Sequence, residues 1–409
     1  MYVSHLSLTQ FRNYARLELD LPARIHLFQG ENAQGKTNLL EAVYYLATTK
    51  SPLATLDREL MRWEADQEVL RYSYVVGRFV RRGREHTIEV ALVKEPQAAD
   101  PTGEPLFRRQ IKLDSVARRA IDVVGQLNVV LFLPEDIELV AGAPGIRRHY
   151  LDVLLCQIDA DYCRTLSRYN RVLTQRNALL KQLREGAVGL AELTYWDEQL
   201  VGLGALVLSR RLEACVALAE HAARFQQRLT AGRETLALRY QNSAAETDEA
   251  MTQDAVAQDA VAQGAVAVAY SEGEQKRLLG RALKHNLSED RVRGVTQVGP
   301  HRDDVRFAIN GHDATVYGSR GQQRTVALAL KLAEVELMTA RVGEPPVLLL
   351  DDVVSELDRL RSDCLLETLD RAEQVLITTT DLHHLPEAFR ERALLWQVQQ
   401  GQINSLAAY

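Results

Sequence analysis

Residues 30–37 read Gly-Glu-Asn-Ala-Gln-Gly-Lys-Thr, and this stretch decides the fold. It matches the pattern G-x-x-x-x-G-K-[ST], in which glycines allow successive backbone N–H groups to curl around phosphate groups. A short apolar segment, Arg24–Gln29, precedes it, and Thr37–Thr48 follows with apolar residues at helical spacing. The strand, turn and helix that such a phosphate-binding loop (P-loop) requires are therefore all predicted here.

The chemistry of a P-loop predicts a role for its side chains and backbone. Lys36 would reach the β and γ phosphates of ATP, and the hydroxyl of Thr37 would bind Mg²⁺. The positive end of the following helix would add to the attraction for phosphate. The predicted ATP-binding residues of this segment are Gly30, Glu31, Asn32, Ala33, Gln34, Gly35, Lys36, Thr37 and Asn38. The alternative is a chance match to the pattern, which the flanking strand and helix disfavour.

A second candidate site follows the apolar run Val347–Leu350, which ends in Asp351 and Asp352. A carboxylate at the carboxyl end of a sheet strand can hold Mg²⁺. A second carboxylate beside it can polarise the water that attacks the γ-phosphate. We predict Asp351 as a metal residue with Thr37, and Asp352 as a catalytic residue with Lys36. The alternative is a strand that ends in an acidic turn, which is the weaker interpretation beside a P-loop.

Residues 319–324, Ser-Arg-Gly-Gln-Gln-Arg, precede an amphipathic helix predicted over Gln322–Ala340. Ser319 can cap this helix, and Gln322 lies three residues later, as in a capping box. The stretch also resembles the signature motif of ABC-type ATPases, which binds the γ-phosphate of ATP held by the opposite subunit. The resemblance implies that Ser319, Gly321 and Gln322 bind ATP in this way. Thr380 occupies the position where many ABC ATPases carry a switch histidine, so slow hydrolysis is expected.

Further segments resemble the RecF family, in the order of that family. They are Phe11–Tyr14, Phe132–Asp136, Gly142–Pro144, Arg147-Arg148, Gln175–Asn177, Leu180-Lys181, Gly299–Asp304 and Asp351–Asp358. Within the last, Ser355–Asp358 lies at the spacing of an ABC D-loop. The resemblance implies an ATP-gated homodimer on DNA at gaps or junctions, with weak DNA-dependent ATP hydrolysis. It also implies recombinational repair with RecR and RecO, support of RecA loading and the SOS response.

The order of patterns predicts an α/β fold: an ABC-type ATPase head, with mixed β and α/β parts, and an inserted all-helical lobe. We predict residues 1–135 plus 290–409 as the ATP-binding lobe and 136–289 as the helical lobe. Within the latter, QDAVA, QDAVA and QGAVA repeat over residues 253–267, which indicates a low-complexity surface loop at 241–268. Residues 95–105 are predicted as a loop. Strands are predicted over Arg306–Asn310 and His312–Tyr317.

The composition is that of an ordinary globular protein: 409 residues, 46% hydrophobic and 25% charged, with a formal net charge of −6. No apolar run reaches the length of a membrane span, and the first residues lack a signal-peptide core. The four cysteines form no CxxC pair and are interpreted as reduced thiols. We therefore expect a cytoplasmic protein with no membrane partner.

Arginines cluster in residues 78–119 and again along the helix predicted over 159–185. A solvated hairpin and a solvated helix face explain them if they are taken alone. The RecF resemblance favours contacts to DNA phosphates instead, with no sequence readout, since no helix-turn-helix or finger spacing is visible. The second cluster includes Arg176. The predicted DNA-binding residues are Arg81, Arg82, Arg84, Arg108, Arg109, Arg168 and Arg171.

Three alternatives stay open at this point. A structural ATPase of the SMC type would require long heptad runs between its two ATPase halves, and this chain has none. A P-loop kinase would phosphorylate a small molecule and would need no signature helix. A binding scaffold would hold ATP without hydrolysing it.

Overall fold

The structure is a computed structural model that describes residues 1–62, 72–99, 105–186, 189–252 and 271–406. The chain forms two compact units. Unit 1 comprises Met1–Glu135 with Glu334–Tyr409, and unit 2 comprises Asp136–Ala333. Residues 290–333 lie in unit 2. Their predicted role as part of the ATP-binding lobe concerns function and stays a prediction.

The elements of secondary structure follow in chain order. The strands are β1 (Tyr2–Phe11), β2 (Tyr14–Asp20), β3 (Ile25–Gln29), β4 (Tyr72–Arg81), β5 (Arg84–Ala99), β6 (Pro105–Leu113), β7 (Val116–Arg118), β8 (Val129–Phe132), β9 (Leu236–Gln241), β10 (Asp304–Ile309), β11 (His312–Asp313), β12 (Val347–Asp351), β13 (Val375–Thr379), β14 (Leu394–Gln399) and β15 (Gln402–Leu406). The helices are α1 (Lys36–Thr48), α2 (Ala120–Val123), α3 (Glu138–Ala141), α4 (Pro144–Ile158), α5 (Ala160–Arg184), α6 (Leu193–Leu229), α7 (Ser243–Thr252), α8 (Glu272–His285), α9 (Leu287–Arg293), α10 (Ala314–Tyr317), α11 (Arg320–Val342), α12 (Arg359–Leu369) and α13 (Glu387–Arg390).

The first sheet of unit 1 is antiparallel, with the strand order β2-β1-β4-β5-β6-β7. The predicted hairpin between β4 and β5 is confirmed, since Arg81 pairs with Arg84 across the turn. The loop predicted over residues 95–105 is wrong at its ends, because β5 continues to Ala99 and β6 begins at Pro105. These two residues pair with each other, so backbone pairing overrides the polar composition. Residues 100–104 lie outside the described residues.

The second sheet of unit 1 has the strand order β15-β14-β3-β13-β12-β8, and only β15 runs antiparallel to its neighbour. Residues 347–350 and 375–379 are buried throughout, as expected for parallel strands covered on both faces. In the register of the sheet, Thr379 lies opposite Gln29, and Asp351 lies opposite Thr378. The carboxyl ends of β3, β13 and β12 therefore meet at one edge.

Unit 2 is mainly helical but also contains the antiparallel sheet β11-β10-β9. The prediction of an all-helical lobe at 136–289 is thus wrong at β9, whose alternately buried residues pair with β10. The predicted loop at 241–268 is wrong for α7, and residues 253–268 lie outside the described residues. The predicted strand His312–Tyr317 ends at Asp313, because the Asp313 side chain caps α10 by accepting from two backbone N–H groups.

Buried ion pairs hold unit 2 together around residues 299–304. Arg147 makes two hydrogen bonds to the Asp304 carboxylate, at 2.7 and 3.0 Å. Arg211 is buried and donates to Asp152 and to the carbonyl of Pro300. Such pairs must stay intact in the folded state, because an unpaired buried charge is strongly destabilising. In the part of the chain that the structure describes, no helix is long and apolar enough to cross a membrane.

Candidate nucleotide-binding site

The P-loop connects β3 to α1 in the backbone conformation that its sequence predicts. Gly35 is the N-cap of α1 and has a φ of 110°, a value that other residues rarely adopt. Ala33 also has a positive φ, 63°, which is uncommon for a residue with a Cβ atom. Side chains of Glu31, Asn32 and Ala33 are exposed. The loop is therefore held in a specific and intrinsically unfavourable shape at the start of a helix.

Lys36 lies with its ammonium group inside the loop. Its Nζ donates to the carbonyl oxygens of Gly30 and Glu31, at 2.6 and 2.7 Å. Burial lowers the pKa of Lys36, whereas Asp352 and Asp351 favour the charged form and act to raise it. The loop carbonyls thus hold the ammonium group in place, and the negative charges of the two carboxylates favour its protonated form.

Thr37 and Asp351, the two predicted metal residues, are in contact. The Thr37 hydroxyl donates to Asp351 Oδ2 at 2.7 Å, and the Thr378 hydroxyl donates to Asp351 Oδ1 at 2.6 Å. A hydroxyl and a carboxylate are hard oxygen ligands of the kind that Mg²⁺ prefers, usually together with water and phosphate oxygens. The donor set of this pair therefore fits Mg²⁺.

Asp352 directly follows β12 in a left-handed backbone conformation, with a φ of 50°. Its backbone N–H donates to the Thr378 carbonyl at 3.1 Å, and its own carbonyl accepts from the Ser355 hydroxyl at 2.7 Å. Among the described residues, no donor reaches its buried side-chain oxygen Oδ1. The backbone thus fixes Asp352 next to Asp351, one of the two predicted Mg²⁺ ligands, while one carboxylate oxygen stays able to accept a proton or a hydrogen bond.

The start of α11 in unit 2 forms the capping box that its sequence predicts. The Gln322 N–H donates to Ser319 Oγ at 3.3 Å, and the Ser319 N–H donates to Gln322 Oε1 at 2.9 Å. Ser319 and Gly321 are exposed, and the preceding Tyr317 is 74% exposed. The capping interpretation is confirmed, and the predicted contact of Ser319, Gly321 and Gln322 with ATP stays a prediction.

Four residues that hold the P-loop from outside received no role from the sequence. Asn13, in the turn between β1 and β2, and Tyr14, the first residue of β2, contact its backbone. In the turn between β14 and β15, Gly401 contacts its backbone and Gln400 contacts the Gln34 side chain. Asn13 and Tyr14 lie in the segment Phe11–Tyr14, which carries part of the RecF resemblance. For Gln400 and Gly401 the sequence offers no signal beyond an ordinary hairpin turn.

Three of the predicted DNA-binding arginines are engaged within unit 1. Arg81 donates to the carbonyls of Gly125 and Gln126, Arg82 donates to that of Val342, and Arg109 donates to that of Thr49. The other four predicted residues are exposed: Arg84, Arg108, Arg168 and Arg171. These four are better placed to meet a phosphate backbone.

Arg176 does not belong to the exposed basic stripe of α5. It is fully buried and donates to Asp197, Asp290 and Thr296, each at 2.7 Å. A buried guanidinium group that is paired in this way is a structural ion-pair member. The sequence interpretation of Arg176 as part of a DNA-binding stripe is therefore wrong.

Comparisons with known proteins agree with this geometry. Residues 2–404 match the family model "RecF/RecN/SMC N terminal domain". The chain is 42% identical to the DNA replication and repair protein RecF of Roseiflexus castenholzii, with 98% of this chain and 99% of that protein covered. The identity to the protein of the same name from Chloroflexus aurantiacus is also 42%, with the same shares covered.

Two solved structures are similar in fold. The recombination mediator protein RecF-ATP in the RecFOR pathway superposes with a TM-score of 0.82 at 32% identity, with 99% of this chain and 98% of that chain covered. The Smc head bound to the C-winged helix domain of ScpA gives 0.53 at 14% identity, with the same shares covered, and shows likeness of fold alone. The predicted ABC-type ATPase head fold is confirmed.

Proposed function

Because the chain belongs to the RecF family, we propose that it is an ATP-dependent DNA-binding protein of recombinational repair. The observation that carries the proposal is the contact between Thr37 and Asp351, with Lys36 and Asp352 beside it. This hydrogen bond brings the P-loop into contact with the strand that ends in two aspartates, although the two lie more than three hundred residues apart in the sequence. The names of the relatives, a DNA replication and repair protein and a RecF described with ATP, support the same function.

The P-loop residues Gly30–Asn38 would hold ATP, with the Lys36 ammonium on the β and γ phosphates. Thr37 and Asp351 would hold Mg²⁺, which supplies positive charge against the phosphate oxygens when bound. Asp352 would accept a proton or hydrogen bond from the attacking water. We expect slow hydrolysis that DNA stimulates, so that the main role is that of a switch.

The second half of the site would come from a second copy of the chain. Ser319, Gly321 and Gln322 would bind the γ-phosphate of ATP that the first copy holds, and residues 1–135 with 290–409 would act as one ATP-binding lobe. Exposure of Ser319 and Gly321 supports this arrangement, because an external ligand can reach both. Hydrolysis would remove the γ-phosphate between the copies and let the dimer open.

The DNA partner would be bound through its phosphate backbone at gaps or junctions, with Arg84, Arg108, Arg168 and Arg171 as the main contacts. Arg81, Arg82 and Arg109 would contribute less, because their guanidinium groups already donate to backbone carbonyls. Cooperation with RecR-like and RecO-like mediators, RecA loading, support of the SOS response and a cytoplasmic location belong to the same proposal.

DNA binding at several salt concentrations, with and without ATP, tests the function. We expect binding to a duplex with a single-strand gap to require ATP and to weaken steeply with salt. The double variant Arg168→Ala/Arg171→Ala should reduce the slope of log K against log salt by about two, one for each lost phosphate contact. The matched control Arg16→Ala/Arg293→Ala removes the same charge from exposed positions elsewhere and should leave the slope unchanged. An affinity that is the same with and without ATP for every DNA structure tested would contradict the proposal.

A further inference from the structure

Two side chains of the turn between β1 and β2 hold the backbone of the P-loop. The Asn13 side-chain N–H donates to the carbonyl of Gln34 at 2.9 Å, and the Tyr14 hydroxyl donates to the carbonyl of Gly35 at 2.9 Å. Asn13 in turn accepts from the Asn38 side chain at 2.8 Å, so it joins the loop to the first turn of α1. Tyr14 is fully buried. The contacts are thus made by groups that are themselves fixed in place.

The turn between β14 and β15, from a distant part of the sequence, also holds the Gln34 carbonyl. The Gly401 N–H donates to the Gln34 carbonyl at 3.1 Å, and the Gln400 N–H donates to Gln34 Oε1 at 2.7 Å. Gly401 has a φ of 73°, and a Cβ atom there would come within 2.6 Å of the Asn13 carbonyl oxygen. Two donors, from Asn13 and Gly401, therefore meet on the Gln34 carbonyl, and only glycine allows the second to approach.

These contacts set the direction of the loop N–H groups. In a planar trans peptide the C=O of one residue and the N–H of the next point in opposite directions. A Gln34 carbonyl held toward Asn13 and Gly401 turns the Gly35 N–H away from them, and a Gly35 carbonyl held toward Tyr14 does the same for the Lys36 N–H. Both N–H groups belong to the set with which a P-loop surrounds phosphate. A loop with positive φ at Ala33 and Gly35 gains from such support, because it would not keep this shape alone.

We infer that Asn13 is a positioning residue for nucleotide binding, and that it acts with the Gln400-Gly401 turn as a clamp on the Gln34 carbonyl. The inference rests on the proposed function, since it assumes that the P-loop binds ATP. The clamp touches no phosphate and no reacting atom. It stabilises the phosphate-binding shape of the loop before the nucleotide arrives, so that less conformational freedom is lost on binding.

The first test uses Asn13→Asp, which keeps the shape of the side chain but cannot donate to the Gln34 carbonyl when ionised. We expect the Kd for a fluorescent ATP analogue with Mg²⁺ to rise about tenfold, as for a lost hydrogen bond to a group that stays buried. The KM for ATP should rise in parallel, while kcat at saturating ATP stays within about twofold. Asn13→Ala should behave similarly, which excludes the introduced charge as the cause.

The second test uses Gly401→Ala against the matched control Gly83→Ala. Both glycines lie in hairpin turns of unit 1 with nearly equal φ values, 73° and 72°, but nothing lies within 4 Å of a Cβ atom at Gly83. Both substitutions carry the same strain from a positive φ, and Gly401→Ala adds the close approach to the Asn13 carbonyl oxygen, so its loss of thermal stability should be at least as large. Only Gly401→Ala should raise the Kd for the ATP analogue, by about tenfold.

The outcomes separate this inference from the proposed function. If the wild-type chain binds no ATP, the proposed function fails. If the wild type binds ATP and Lys36→Ala does not, unchanged Kd values for Asn13→Asp and Gly401→Ala overturn the clamp alone. A lower kcat at unchanged KM would also overturn it, because that result signals a smaller folded fraction and no change in positioning.

Discussion

The P-loop and the start of α11 are both predicted to bind the same γ-phosphate, yet the chain builds them differently. In the P-loop, Lys36 is buried and hydrogen-bonded to loop carbonyls, and the Thr37 hydroxyl is hydrogen-bonded to Asp351 at the end of β12. At the start of α11, Ser319 and Gly321 are exposed, and Ser319 bonds within its own turn to Gln322. The P-loop is thus fixed by several contacts from distant parts of the sequence. The start of α11 is fixed mainly by its own turn, with one distant hydrogen bond from the Gln322 side chain to Glu234 at 2.9 Å.

The difference indicates that the two regions would contribute to the site in different ways. The P-loop needs its contacts in place beforehand, because its N–H groups must converge on one phosphate chain. A capped helix start already has its shape, and its remaining N–H groups and the helix dipole are available to an anion from outside. This is the arrangement expected if the chain carries one complete half-site and offers the other half to a second copy.

The largest expected effect concerns Asp352, the carboxylate that follows β12 next to the P-loop. Asp352→Asn should lower the turnover of ATP by about 10²- to 10⁴-fold, the usual contribution of a general base. Binding of ATP should persist, and asparagine tolerates the positive φ of 50° at this position. Single-turnover hydrolysis beside an ATP titration measures both quantities. Unchanged turnover would show that another group activates the water.

Lys36→Ala should have the next largest effect. Loss of the ammonium group removes a preorganised cation from the phosphates, and loss of one preorganised donor costs about 10²- to 10³-fold in kcat. ATP-dependent dimerisation should disappear with it, because the half-site that holds ATP is gone. Lys50→Ala, an exposed lysine just beyond α1, serves as the charge-matched control. Dimerisation of Lys36→Ala with ATP would mean that the P-loop does not control assembly.

The smallest expected effect separates capping from nucleotide contact. Ser319 and Ser271 both head a capping box in unit 2, with Gln322 and Glu274 as the respective partners. Ser319→Ala and Ser271→Ala should each lose about 1 kcal/mol of stability in chemical denaturation. Only Ser319→Ala should weaken ATP-dependent dimerisation, by about tenfold for one lost hydrogen bond to a charged group. Equal ATP-dependent dimerisation of the two variants would mean that Ser319 only caps the helix and does not contact the nucleotide.

The P-loop and the Asp351-Asp352 strand could be predicted from the sequence because each is contiguous and its chemistry is local. Four buried apolar residues that end in two carboxylates need no knowledge of the rest of the chain. The contact between Thr37 and Asp351 also follows from the sequence, since parallel strands bring their carboxyl ends to one edge. These were the parts in which local pattern and global fold agree.

The remaining features depend on pairing across long separations or on short signals. The hydrogen bonds of Gln34 to Asn13 and Gly401 join parts of the chain that no local pattern relates. Strand β9 does show an alternation of buried Leu236, Leu238 and Tyr240, but it is only six residues long and lies shortly after the long helix α6.

The position of Arg176 in α5 carries a sequence signal for burial. It continues the seven-residue spacing of Tyr162 and Tyr169, both of which lie on the buried face of α5. A basic residue on that face was more consistent with an internal ion pair than with an exposed stripe, and its contacts with Asp197 and Asp290 bear this out.

The central claim, that two copies complete one site, is tested most directly by mixing two inactive variants. Lys36→Ala disables the P-loop half, and Ser319→Asp keeps a good N-cap but places a negative charge against the γ-phosphate. Neither variant alone should hydrolyse ATP. An equal mixture should recover turnover, because each mixed dimer combines the P-loop of the Ser319→Asp chain with Ser319 of the Lys36→Ala chain and so has one intact site of two. If Ser319→Asp alone hydrolyses ATP like the wild type, and the mixture shows no more than the activity of its Ser319→Asp half, the site is complete within one chain and the account is contradicted.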